Sequence, residues 1–163
     1  MAKYESGIKQ IPYSQSAVYS KLSDLNNLAV IKERMNNPQI ADNLKEKASE
    51  EQVQRAMMVV EKMEFTTDTM TIDMAPLGAI VIEIIEREPD KLIKMTSRQS
   101  PIPITFWIQI LPTSETTSKM RLTIDAQLNP FMKMAFGNKL KDGIDQFAEM
   151  LAIIPYGEQT DEV

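Results

Sequence analysis

Between Phe65 and Leu128 apolar and polar residues alternate, which is the period of a strand with one buried face. The runs TMTIDMA, AIVIEIIERE, KLIKMTSR, ITFWIQIL and KMRLTIDAQL carry the pattern. The punctuation PLG, PD, QSPIP, PTSETTS and NP follows them in turn. Short strands joined by tight turns predict an antiparallel meander. One face holds Ile80, Ile82 and Ile84, Phe106, Ile108 and Ile110, and Met120, Leu122 and Ile124. The other holds Glu83, Arg121, Thr123 and Asp125, so one side of the sheet is expected to be dry and the other wet. A short strand near residues 62–66 and an N-terminal strand over 3–13 bring the sheet to about seven members. Gly7 and Pro12 mark a bulge or an edge in the N-terminal strand.

On either side of the meander the period is helical. Val18, Leu22, Leu25, Leu28, Ile31 and Met35 recur at helical spacing. Ser14 is the expected N-cap, and the Ser23-Asp24 pair suits a second one, so two short helices in tandem are predicted. Residues 36–64 are less regular. Ser49 and Gln52 have the spacing of a capping box, and Val53, Ala56, Met57 and Val60 follow as one apolar stripe. A helix is expected there, with another around Ile40 and Leu44. After the meander, Asn129 suits an N-cap, Pro130 a first helical position, and Pro155 and Gly157 a stop. The helix over 130–154 would show a seam of Met132, Phe136, Leu140, Ile144, Phe147, Leu151 and Ile154. Its opposite face carries Lys133, Lys141, Asp142, Asp145 and Glu149.

Composition narrows the class. The chain has 163 residues, 43% hydrophobic and 25% charged, as expected for a globular protein with one core. No apolar run approaches the ~20 residues of a membrane span, and MAKYESGIKQ lacks the pattern of a signal peptide. With no cysteine there is no disulfide framework, and a cytoplasmic location is expected. The net charge of -5 arises entirely within residues 65–163, which hold 9 basic and 14 acidic groups. No Lys/Arg stripe appears, so neither nucleic acid nor an anionic membrane surface is an expected partner, and without an apolar span no stable membrane insertion is expected. Without His or Cys, the usual zinc sites and Ser-His-Asp or Cys-His systems are excluded. No phosphate-cradling Gly-rich loop is present, and no metal or cofactor is expected.

The segments SQSAVYSKLSDLNNLAVI, GAIVIEIIEREPDKLIKM and ITFWIQILP…KMRLTIDAQLNPFMK resemble the START-like, or SRPBCC, superfamily of birch-allergen-like and polyketide-cyclase-like proteins. They match its opening helix pair, its central hairpin, and its last two strands running into a gripped helix. The likeness covers essentially the whole chain. It departs at residues 36–64, which are longer and more helical than the usual link. It implies an α+β helix-grip fold, with a curved antiparallel sheet around a long C-terminal helix. Residues 1–157 would form a single domain with the 36–64 insert inside it, followed by an acidic tail at 158–163. It also implies a cavity between sheet and helix that takes a small apolar or amphipathic, lipid-like or polyketide-like molecule.

The apolar faces place Leu28, Ile82, Ile84, Met95, Phe106, Ile108, Met120, Leu122, Met132, Phe136, Leu140 and Gly143 around such a cavity. Among the 12 methionines, Met57, Met74, Met95, Met120 and Met132 fall on apolar faces. They would either line an adaptable pocket or fill gaps in an ordinary core. Gly143 borders the seam and would leave ligand space or allow close packing, while Gly137 reads as a neutral surface position. Each glycine costs about 1 kcal/mol relative to Ala in a helix interior. Of the strand carboxylates Asp73, Glu83, Glu86 and Asp125, only Glu86 keeps the phase of Ile82 and Ile84. It is therefore the candidate acid–base group, with Arg98 or Tyr13 as partner. Trp107 falls opposite Phe106 and Ile108, and a one-residue slip would bring it to the cavity. Three functions remain open: binding of a small ligand, a cyclase or dehydratase using the same cavity, and a protein-interaction module built on residues 36–64 and the tail.

Overall fold

The computed structural model describes residues 2–35, 51, 54, 57–58, 61–73, 78–98, 102–154 and 156. Two short strands, β1 (Ala2–Glu5) and β2 (Lys9–Ile11), precede helices α1 (Gln15–Leu22) and α2 (Asn26–Met35). A meander follows, comprising β3 (Glu64–Phe65), β4 (Thr69–Asp73), β5 (Ala79–Glu88), β6 (Leu92–Arg98), β7 (Ile104–Pro112) and β8 (Ser118–Ala126). Helix α3 (Pro130–Ala152) comes last. Strand order is β1-β8-β7-β6-β5-β4-β3, with β2 also on β8, and every pairing is antiparallel.

The expected seven or so strands are eight among the described residues, because the N-terminal strand is broken. Glu5 stands opposite Thr123, and Lys9 opposite Met120, so one extra residue is inserted between them. Ser6 secures the interruption. Its N–H donates to the Leu122 carbonyl at 2.9 Å, and its Oγ accepts from the Leu122 N–H at 3.0 Å. Beyond the break, Gly7 N–H donates to Asp145 Oδ1 at 3.1 Å, which ties the strand to α3.

The helix ends follow the capping residues. Ser14 Oγ accepts from the Ala17 N–H at 3.1 Å, Asp24 Oδ1 from the Asn26 N–H at 2.9 Å, and Asn129 Oδ1 from the Met132 N–H at 2.7 Å. The α1–α2 corner is pinned to the first strands of the meander. Leu25 N–H donates to the Thr67 carbonyl, Lys32 Nζ to the Met63 carbonyl, and Arg87 bridges the Ser23 carbonyl and Asp68. Asp90, at φ 68, supplies the left-handed residue of the turn between β5 and β6.

One sheet face is dry. Ile80, Ile82 and Ile84, Phe106, Ile108 and Ile110, and Met120, Leu122 and Ile124 are all buried. They meet Leu140, Ile144, Phe147 and Leu151 of α3, and Val18, Leu22, Leu25 and Leu28 of the helix pair. Trp107 lies on the opposite face, half-buried, with Lys3 and Lys94 ammonium groups each 5.9 Å from its ring. Thr123, expected on the wet face, is on it but is 4% exposed, flanked on its two neighbouring strands by Trp107 and Glu5.

Glu86 does not point inward as its phase suggested. Ile84 pairs with Met95 and Glu86 with Lys94, so Ile85 is an extra residue that inverts the alternation. Ile85 is consequently 53% exposed, and Glu86 is exposed on the face that bears Lys94.

Candidate functional site

Helix α3 packs chiefly against β1, β2 and β8, at one side of the sheet. Phe147 reaches the middle strands, its ring 6.1 Å from that of Phe106 and inclined at 59°. Between α3 and strands β4 and β5 lies a cavity of about 410 Å³. Its floor is Met70, Ile72, Ile82, Phe106 and Ile124. Its helical wall is Phe136, Lys139, Leu140, Gly143, Ile144, Gln146 and Phe147. Met58, Lys62 and Met63, in and just after a segment whose residues 51, 54, 57, 58 and 61 are helical, close a third side.

Of the residues expected around a cavity, Ile82, Phe106, Phe136, Leu140 and Gly143 line this one. Leu28, Ile84, Met95, Ile108, Met120 and Leu122 are buried in the core beside it, and Met132 is half-buried against that core. Met95 and Met120 are thus packing residues, whereas the lining methionines among the described residues are Met58, Met63 and Met70. Met70 and Ile72 were legible in the alternation of TMTID; the residues at 58–63 had no comparable signal. Ser49, Gln52, Val53, Ala56, Val60, Ile40, Leu44, Met74, Pro155, Gly157 and the tail lie outside the described residues.

Gly143 takes the first of its two expected roles, ligand space, whereas close packing falls to Gly137, which is not the neutral surface position expected. Gly137 is buried, and a Cβ there would stand 2.7 Å from the Tyr4 hydroxyl, so it permits close approach of α3 to β1. A Cβ on Gly143 would meet nothing within 4 Å, so Gly143 leaves open space at the cavity.

Glu86, Arg98 and Tyr13 are not brought together. Arg98 faces Glu83 at 3.8 Å on the wet side, both half exposed. Tyr13 stacks edge-on against Tyr156, with ring centroids 6.1 Å apart. Burial pushes the Tyr156 phenol far above its ordinary range, and its hydroxyl donates to the Leu151 carbonyl at 2.6 Å. The ionisable side chains among the described lining residues are Lys62 and Lys139. No group of three or more potential metal ligands occurs among the described residues, and no described helix is long and apolar enough to cross a membrane.

Neither the protein-family models nor the curated proteins include a match to the sequence. Solved structures do match in fold. Norcoclaurine synthase of Thalictrum flavum, in complex with dopamine and hydroxybenzaldehyde, aligns with a TM-score of 0.59 at 11% identity, covering 97% of this chain and 88% of that one. A protein of Thermobifida fusca gives 0.58 at 11% identity, over 96% and 94% of the two chains. A START superfamily protein of Mycobacterium smegmatis gives 0.52 at 9% identity, over 93% and 99%. The chain therefore shares the α+β helix-grip fold of these structures.

Proposed function

We propose that the protein binds a small apolar or amphipathic molecule between α3 and the β4–β5 side of the sheet. The observation that carries this reading is the cavity of about 410 Å³, whose floor is wholly apolar. Its size falls in the usual range of small-molecule sites, about 300–1,000 Å³. Transfer of hydrocarbon from water onto such a floor is favourable by roughly 25 cal/mol per Å² buried. Met70 in the floor and Met58 and Met63 on the third side give walls that adapt to ligand shape. Norcoclaurine synthase, whose structure holds two small aromatic molecules, gives the reading a precedent in fold alone. In this reading residues 1–157 act as one domain of a cytoplasmic protein, and a lipid-like or polyketide-like molecule is the candidate cargo.

The test is a pair of measurements on the full chain. Native mass spectrometry of the protein as isolated should show a bound small molecule that solvent extraction releases. Titration with an apolar fluorescent probe should then show saturable binding to the emptied protein. Gly143→Leu fills the open space beside α3 and should abolish that binding while the fold is retained. Undiminished binding by the Leu variant would place the ligand elsewhere and end the reading.

A further inference from the structure

The mouth of the cavity differs in chemistry from its floor. Along α3, Lys139, Gly143 and Gln146 fall at i, i+4 and i+7, in one row on the helix. All three are exposed and all three line the cavity. The middle member has no side chain, and the space its Cβ would enter is open. The row is therefore a notch with a cation on one side and an amide on the other. Lys62, also exposed, lines the same cavity from the segment that closes its third side.

The sign of the charge is informative because the protein as a whole is acidic, with 23 Asp and Glu against 18 Lys and Arg. Among the described lining residues there are two lysines and no carboxylate. Lysine suits this position, since its aliphatic stem covers apolar wall while the ammonium stays at the water boundary. An ammonium has three donors, so a lysine engaged with a neighbour in the protein keeps N–H groups for a ligand.

Building on the proposed ligand-binding function, we infer that the ligand is an anionic amphiphile. Its hydrocarbon part lies over Ile82, Phe106 and Ile124, and its acidic headgroup sits in the Gly143 notch between Lys139, Gln146 and Lys62. A neutral molecule of the same shape would gain the hydrophobic contacts and lose the charge-assisted hydrogen bonds, which are the stronger kind. A cationic one would meet like charge.

Calorimetric titration of the full chain with decanoate, decanol and decyltrimethylammonium tests this, because the three share a chain and differ in headgroup. At neutral pH decanoate should bind roughly tenfold more tightly than decanol, a difference of about 1.4 kcal/mol. The ammonium compound should bind more weakly than the alcohol. The Lys62→Gln/Lys139→Gln variant should bind decanoate and decanol alike, and the Lys62→Arg/Lys139→Arg variant should keep the preference. Equal affinity of the native protein for decanoate and decanol overturns the inference and leaves the cavity reading standing. So does a decanoate preference that survives the double Gln change. Failure of all three compounds to bind overturns the inference and the cavity reading together.

Discussion

The hydroxyl oxygen of Tyr4 lies 2.7 Å from the point a Cβ on Gly137 would occupy. Tyr4 sits on β1 opposite Ile124, and Gly137 is on the buried side of α3, so this contact helps fix how closely the helix approaches that edge of the sheet. Gly137→Ala gains about 1 kcal/mol of helix propensity but forces the Tyr4 ring to move. Removing the hydroxyl should free the gain, because the next Tyr4 atom, Cζ, is at an ordinary 3.7 Å. In a double-mutant cycle by urea denaturation, Gly137→Ala should stabilise the Tyr4→Phe protein by up to about 1 kcal/mol and help the native protein less. Equal effects in both backgrounds would show that the contact is not limiting.

Ser6 holds the break between β1 and β2 with its side chain. Ser6→Ala leaves the Leu122 N–H without its Oγ acceptor in a buried position, at a cost of about 1–3 kcal/mol. The urea midpoint should fall with an unchanged slope. A loss well under that range would mean that the backbone bond from the Ser6 N–H to the Leu122 carbonyl suffices to hold the register.

What the sequence made legible follows from where its physics is local. Strand alternation reports which face is dry, so Ile82, Phe106 and Ile124 could be assigned to the inner face, and Asn129 announced its helix. Glu86 was misplaced because a bulge inserts one residue without changing composition; in AIVIEIIERE the doubled Ile84-Ile85 was its only trace. The cavity was placed too broadly for a different reason. It exists where α3 parts from the sheet, and that depends on the contacts of Gly137 with Tyr4 and of Phe147 with Phe106, which join residues over 130 and over 40 positions apart. Met95 and Met120 face the same side as Ile82, yet only the height of the helix above each strand decides whether a residue lines space or fills it. The helical row Lys139, Gly143 and Gln146 needed the rotation of α3 as well as its period.

Trp107 is the only tryptophan, and it lies on the sheet face away from the cavity, between Lys3 and Lys94. A ligand in the cavity should leave its emission maximum and intensity nearly unchanged. In Phe136→Trp, where the new indole lines the cavity, the same ligand should shift the emission. A response from Trp107 in the native protein would indicate binding on the outer face.

Tyr156 should make the protein sensitive to alkali. It is 5% exposed, and burial raises its phenol above the ordinary value of 10.0. The folded state thus holds the proton more tightly than the unfolded chain. Its contribution is complete below pH 10.0 and declines as pH rises above that value, because the unfolded state then releases a proton the folded state retains. The decline can reach about 1.4 kcal/mol per pH unit for one such group. Tyr156→Phe loses the hydroxyl bond to the Leu151 carbonyl, so it should be less stable at neutral pH by about 1 kcal/mol. It also lacks the titrating group, so its stability should fall less steeply above pH 10.0 and the gap between the two proteins should close. Urea denaturation of both across that range measures the effect. Parallel stability curves would show that Tyr156 is not the group that couples folding to alkali.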